Sequence, residues 1–374
     1  MAHSLKMDNS ILYLMHVPWG HIKQRPHFVV EYLRKYFQLN VFGLQHVSAS
    51  QNTLVNNDIP SSVNVDNLTA YNVPGFINNI LARKKLRRYA KSSGIVWLTS
   101  PRLHGFVKPL LTKNHIVVYD CMDDVLEFPD AKSDKKRQQK LFNLEQELCG
   151  RADIIFCSSD FLRQKLLNRY GALKVKVVNN AVNLPQTNDP IAQLPEEIEK
   201  AFTGTKKKIV YIGTISEWFD FDLLVKSLDE FDNFEYLLFG CHDVYVPTHE
   251  RIKYFGPIEH KYVFSLMKRA DVLIMPFIMN ELILSVNPVK IYEYILSGKP
   301  ALVKGYPETE KFSDYVYLYN TYDEYMAVYR EIAANNFSGK QSRCACLRYS
   351  QCNTWENRIS EMVPEINRFM VGDI

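Results

Sequence analysis

The chain has no run of 18 or more apolar residues, so its sequence offers no transmembrane helix. Its first ten residues, MAHSLKMDNS, hold no apolar core of the kind an export signal needs and lead straight into a strand pattern. Net charge is also scarce. The 45 Lys and Arg against 41 Asp and Glu leave +4, too little to argue for nucleic acid. The cysteines number seven, an odd count. Without an export signal they are expected as free thiols in a reducing cytoplasm. Cys344, Cys346 and Cys352 cluster, but no further Cys or His follows at zinc-ligand spacing, and no metal site is expected. The first strand-to-helix loop, HVPWGHIKQRP (16–26), lacks the G-x-G-x-x-G pattern of dinucleotide binding. His16, His21 and His27 within it are not at helical metal-ligand spacing and read as loop and packing residues.

What the chain does have is length and alternation. Its 374 residues suit two domains, and 47% hydrophobic with 23% charged residues is the balance of a folded protein. Apolar runs at 11–17, 95–99, 115–119, 152–158 and 175–178 alternate with helical spacing, notably at 136–150 and 160–169. LPQTNDPIAQLP (184–195) then breaks the pattern with three prolines, a linker composition. Beyond it the alternation restarts with KIVYIG, FEYLLFG, IKYFG, DVLIMPF and PALV. Continuous apolar strands between amphipathic helices read as parallel sheets covered on both faces. The expected organisation is two doubly wound α/β domains, 1–184 and 206–353, with a linker at 185–205. A C-terminal helix over 354–374 can pack back on the first domain. Ligands of such sheets bind at the carboxyl ends of the strands, across a cleft.

The segment 271–303 carries the most chemistry. DVLIMPF predicts a strand, Asn287 an N-cap, Pro288 the first helical position and Gly298 the stop. A helix start of this kind suits a phosphate. Lys290 lies in its first turn, and Glu293, three residues on, shares its face. The same residues would equally serve a capped helix with a surface Lys–Glu pair.

NPVKIYEYILSGKP resembles the donor-site signature of GT-B glycosyltransferases that build bacterial polysaccharides, P-x-K-x-x-E-Y followed by a small-G-K-P turn. Segments 209–224, 254–277, 151–166, 176–184, 19–33 and 117–128 resemble other landmarks of that group, in order. The resemblance implies the GT-B architecture, two Rossmann-like domains facing a cleft. It implies a nucleotide sugar bound by the C-terminal half, an acceptor in the N-terminal half, and transfer without a required metal or cofactor. UDP is the commoner nucleotide. Carried over by position, Lys290 would neutralise the diphosphate and Glu293 would hold the ribose. Gly213 would let the backbone approach the phosphates, and Ile258 would help frame the base. Many retaining members carry a glutamate eight residues before the second one. Here that position is Ser285; it and Glu281 further upstream are carried as donor-site candidates, Glu281 pointing at the sugar or simply at solvent, and the stereochemistry stays open.

A transfer to a hydroxyl benefits from a carboxylate base. In YDCMDDVLEF (119–128), Asp120, Asp123 and Asp124 are placed at the end of a strand and are the candidates, Asp120 and Asp123 ahead of Asp124. Capping and a surface acidic turn account equally for at least one of them. In the 16–26 loop, Gly20 permits a tight turn, and His21 and Arg25 are candidate acceptor contacts. Residues 73–91 join Phe76, Ile77, Ile80 and Leu81 to six basic residues with no acid between them. That suits an anionic membrane surface, or equally a solvated helix with its apolar side in the core. The expected protein is a cytoplasmic glycosyltransferase on the inner face of the cell membrane, extending a glycan or lipid-linked acceptor in cell-surface polysaccharide synthesis. A nucleotide-sugar 2-epimerase-like enzyme of the same architecture and a non-catalytic partner subunit are the alternatives.

Overall fold

A computed structural model describes residues 9–20, 23–46, 63–71, 75–172, 174–185, 192–334 and 337–371. The chain divides into two compact units. Unit 1 comprises residues 1–179 and 355–374, and unit 2 comprises residues 180–354.

Unit 1 is built on a seven-stranded parallel sheet in the order β3-β2-β1-β4-β5-β6-β7. Its strands are β1 (Ser10–Met15), β2 (Gln38–His46), β3 (Asn64–Ala70), β4 (Ile95–Leu98), β5 (Ile116–Cys121), β6 (Ile154–Cys157) and β7 (Val175–Val177). The helices are α1 (Arg25–Leu33), α2 (Gly75–Ser92), α3 (Pro101–Val107), α4 (Pro129–Lys132), α5 (Lys135–Arg151) and α6 (Asp160–Tyr170). Every residue of β1, β4, β5 and β6 is buried, as continuous apolar strands between two helical layers should be. Ser159 caps α6 by accepting a hydrogen bond from the Leu162 amide, and Gly171 ends that helix at φ +61°.

Unit 2 carries a six-stranded parallel sheet in the order β10-β9-β8-β11-β12-β13. These strands are β8 (Lys207–Ile212), β9 (Phe234–Phe239), β10 (Ile252–Tyr254), β11 (Val272–Met275), β12 (Ala301–Lys304) and β13 (Tyr317–Tyr319). Its helices are α7 (Glu196–Ala201), α8 (Phe221–Glu230), α9 (His260–Arg269), α10 (Glu281–Ser285), α11 (Val289–Ser297), α12 (Pro307–Glu310), α13 (Tyr322–Ala333) and α14 (Arg343–Cys352). The last helix of the chain, α15 (Trp355–Val371), belongs to unit 1. There Trp355 stacks on Phe28 of α1 at 5.1 Å, and Glu365 pairs with Lys176.

Two expectations are corrected here. The described part of the expected linker, 192–205, is not a free connector. Leu194, Ile198 and Ala201 are buried in the core of unit 2, and α7 forms around them. Asn287 is not the N-cap of α11 either. Pro288 takes that place, without a side-chain cap, and the Asn287 side chain is buried in other bonds.

The small net charge conceals a division. Unit 1 holds 27 Lys and Arg against 18 Asp and Glu, a net +9, whereas unit 2 holds 18 against 23, a net −5.

Candidate active site

Each sheet has one place where the strand order reverses, and in open α/β sheets that is where ligands settle, outside the carboxyl ends. In unit 2 the reversal lies between β8 and β11. β8 ends at Ile212, so Gly213 sits at that point with φ +153°. A Cβ built on Gly213 would overlap Cε and Nζ of Lys290. The glycine is therefore needed first for the lysine: the Lys290 side chain runs through the space a side chain at 213 would fill. Gly240, at the end of β9, has φ +138°, and a Cβ there would overlap the Gly213 carbonyl. Two glycines thus let two strand ends close on one another beneath Lys290.

Lys290 lies in the first turn of α11, half-buried, with Nζ 5.5 Å from the centre of the Tyr211 ring. Its ammonium makes no hydrogen bond or ion pair among the described residues. Burial lowers its pKa, opposed by the charge of Glu293. A desolvated cation without a bound counter-ion is a ready anion site. Glu293 is one turn on, 20% exposed, with Oε1 3.7 Å from Nε2 of His260. Tyr294 ties the helix to the sheet by donating to the Ile274 carbonyl at 3.0 Å.

The other donor-site candidates are not equivalent. Ile258 is half-buried and packs on the core of unit 2, in the loop where the Gly240 amide donates to the Gly256 carbonyl at 2.8 Å. Glu281 is exposed at the start of α10, behind the Asn280 cap. Ser285 is 0% exposed and donates to the Leu282 carbonyl at 2.6 Å. That hydroxyl is spent within α10, which corrects the placement of Ser285 among the donor-site candidates.

In unit 1 the reversal lies between β1 and β4. His16 and Thr99, the residues just past those strands, meet there. The His16 amide donates to Thr99 Oγ1 at 3.0 Å, and Nδ1 lies 2.8 Å from the same oxygen. Burial lowers the His16 pKa to about 4, with Arg102 and His27 adding to it. The imidazole is therefore neutral at physiological pH. From its spacing His16 reads as a loop and packing residue, and only the strand order marks its position at the reversal. Gly20, in the same loop, has φ +95°, as a tight turn requires. The close approach of that loop to β2 needs a second glycine: a Cβ on Gly43 would overlap Pro18 and Trp19 backbone atoms. His27 is buried, with Nδ1 accepting from the Gln24 amide, in keeping with packing. His21 lies outside the described residues.

The three aspartates separate clearly. β5 runs to Cys121, past the expected end at Tyr119, so Asp120 is a strand residue, 0% exposed. Its Oδ1 accepts from Nε of Arg25 at 3.0 Å and lies 2.9 Å from Nη2. Arg25 is itself 2% exposed and donates through Nη1 to the Val178 carbonyl at 2.7 Å. This buried pair corrects both placements, of Asp120 as the base and of Arg25 as an acceptor contact. Asp124 is also corrected. Arg169 grips both its oxygens at 2.7 and 2.8 Å, and Lys165 adds a bond at 2.9 Å. Burial alone would raise its pKa, but these partners outweigh it and hold the carboxyl below its ordinary value.

Asp123 is different. Its carboxylate has no hydrogen bond or ion pair among the described residues, and it is half-buried. Burial raises its pKa to about 6, with Arg25 opposing and Asp124 adding. A carboxylate poised near neutrality with unused oxygens fits a general base. Among the described residues, no group of three His, Cys, Asp or Glu side chains is arranged to hold a metal ion. All seven cysteines are free.

Searching for similar proteins gives no matching family model. Among solved structures, sucrose-phosphate synthase from Thermosynechococcus elongatus superposes with a TM-score of 0.72 at 12% identity, covering 97% of this chain and 99% of that one. HepE of Anabaena in complex with UDP-glucose gives 0.70 at 14%, covering 95% and 99%. An E. coli trehalose-6-phosphate protein bound with UDP-2-fluoro glucose gives 0.65 at 12%, covering 96% and 99%. The chain has the GT-B fold, as the sequence resemblance implied. A curated relative is more specific: the Bacillus subtilis protein named "Putative teichuronic acid biosynthesis glycosyltransferase TuaH" is 28% identical over 242 residues. That match spans 60% of this chain and 59% of the relative, less than two thirds of its length.

Proposed function

We propose that the protein is a glycosyltransferase that takes a sugar from a nucleoside diphosphate, with UDP the expected nucleotide, and passes it to a glycan or lipid-linked acceptor in cell-surface polysaccharide synthesis. The observation that carries this reading is Lys290: a half-buried ammonium, without an ion-pair partner among the described residues, at the strand reversal of unit 2. A diphosphate supplies the missing counter-charge, and Glu293 offers two acceptor oxygens for ribose hydroxyls one helical turn away. Asp123 in unit 1 takes the acceptor proton. The names of the structural neighbours bound to UDP-glucose and to UDP-2-fluoro glucose support the nucleotide, and the name of the B. subtilis relative supports the polysaccharide. No helix among the described residues is long and apolar enough to cross a membrane. We assign docking on an anionic membrane to α2, whose outward face joins exposed Phe76, Ile80 and Leu81 to exposed basic side chains.

Incubation with a panel of UDP-sugars, with and without glycan acceptors, tests the function directly. UDP release that depends on the acceptor is expected. Release without any acceptor would favour the epimerase reading, and UDP binding without release would favour a partner subunit.

Lys290→Ala should weaken UDP binding about tenfold or more by calorimetry, since a charge-assisted hydrogen bond contributes roughly 1.5–3 kcal/mol. Gly213→Ala should do much the same from the other side, because the added methyl displaces the lysine head. UDP affinity unchanged in both variants would remove Lys290 from the site.

A further inference from the structure

α11 starts without a side-chain cap. Something else must fix its first turn, where Lys290 sits. Directly before that turn, Asn287 is 1% exposed and uses its side chain on three partners. Oδ1 accepts from the Asn180 amide at 2.9 Å and from the Tyr292 hydroxyl at 3.3 Å. Nδ2 donates to Oε2 of Glu308 at 3.0 Å. Its backbone carbonyl accepts from Nδ2 of Asn180 at 2.5 Å. Glu308, also 1% exposed, is held in turn by Lys311, whose Nζ is 2.8 and 2.9 Å from its two oxygens. One residue earlier, the Val286 carbonyl accepts from the Tyr306 hydroxyl at 3.1 Å.

Buried polar groups so fully engaged hold one geometry. Their chain positions matter as well. Asn180 is the first residue of unit 2, and two residues on, the Val182 amide donates to the carbonyl of Asn353, next to the last residue of that unit. The same carboxamide thus ties together the start of the unit, the α12 turn and the start of the Lys290 helix.

We propose that Asn287 is a positioning residue for the donor site: with Asn180 and Glu308 it sets the first turn of α11 and so the place of the Lys290 ammonium. This inference rests on the donor-site reading above. Its effect must travel through Lys290, and that makes it separable from a purely structural role. UDP is the probe.

Asn287→Asp keeps the shape and both accepted bonds, but removes the donor and sets a second carboxylate against Glu308. UDP affinity should fall roughly two- to tenfold. Adding Glu308→Gln supplies a donor in the opposite direction, and affinity should return towards the wild-type value. In a Lys290→Ala background, Asn287→Asp should cause no further loss. Melting temperatures of all variants report the stability effect independently. If the losses from Asn287→Asp and Lys290→Ala add, or if the Glu308→Gln partner restores stability without restoring affinity, Asn287 is structural only and the proposal falls. If the wild-type protein binds no UDP, it is the donor-site reading that fails.

Discussion

Asp123→Asn will lower turnover by roughly a hundredfold or more and leave UDP affinity unchanged. The substitution keeps the shape and removes the one of the three neighbouring carboxylates that engages neither oxygen among the described residues, whereas Asp120 is held through Oδ1 by Arg25 and Asp124 through both oxygens by Arg169. Its pKa of about 6 sets a pH signature. The base must be ionised to act, so wild-type turnover should fall as pH drops through about 6. A second signature lies in stability. A raised carboxyl pKa means that the folded protein favours the protonated form, so the ionised form strains the fold above pH 6. Asp123→Asn should therefore stabilise the protein at pH 7.5, by up to about 3 kcal/mol, with the gain vanishing as pH falls towards 4. Asp124→Asn should do the reverse. That carboxyl is held below its ordinary value by Arg169 and Lys165, so its stabilisation is present at neutral pH and lost only in acid. Breaking it should destabilise the fold by roughly 2 kcal/mol at pH 7.5. Full turnover in Asp123→Asn would place the base elsewhere. His16 is then the next candidate, and a profile with its midpoint near 4 would identify it.

These contrasts also show where the sequence was readable. β1, β4, β5 and β6 are fully buried, so their apolar runs stand out without any partner being known. β3 is NVDNLTA at the edge of its sheet, with Leu68 its one buried residue, and nothing in its composition distinguishes it from a loop. Helix α11 was legible because Lys290 and Glu293 lie three residues apart and Gly298 ends the helix in the left-handed conformation. The aspartates were not. Asp120 meets Arg25 across 95 positions and Asp124 meets Arg169 across 45, so local spacing carries no trace of which carboxylate is spent. Asn287 was misread for the same reason. Its residue type suits a helix cap, but its partners come from 107 and 21 positions away. Local chemistry thus suggests candidate residue types, while long-range pairing decides which of them are already engaged.

The largest effect on location should come from α2. Its core side is Leu86 and Ala90, the only residues of the helix that are fully buried. Phe76, Ile80, Lys84, Arg87 and Lys91 follow at steps of four, four, three and four residues, which on a helix is one continuous stripe. Phe76 is 65% and Ile80 56% exposed, and Lys84, Arg87, Arg88 and Lys91 are exposed with them. Two neighbouring basic residues are engaged otherwise: Arg83 donates to the Gly105 carbonyl at 3.2 Å, and Lys85 pairs with Asp66 at 2.7 Å. The apolar first turns can enter the headgroup boundary while the basic turns meet anionic lipid, on a unit that is already net positive. Changing Lys84, Arg87, Arg88 and Lys91 together to Gln removes about 1 kcal/mol of attraction per charge, or roughly a thousandfold in partitioning. Sedimentation with phosphatidylglycerol vesicles should show that loss, while wild-type binding should weaken with salt as screening shortens to a Debye length of about 8 Å. The buried side of the helix is untouched, so melting temperature and transfer to a short soluble acceptor should be preserved. Equal wild-type binding to phosphatidylcholine vesicles would remove the electrostatic part, and loss of transfer to the soluble acceptor would make the stripe a structural feature of unit 1 instead.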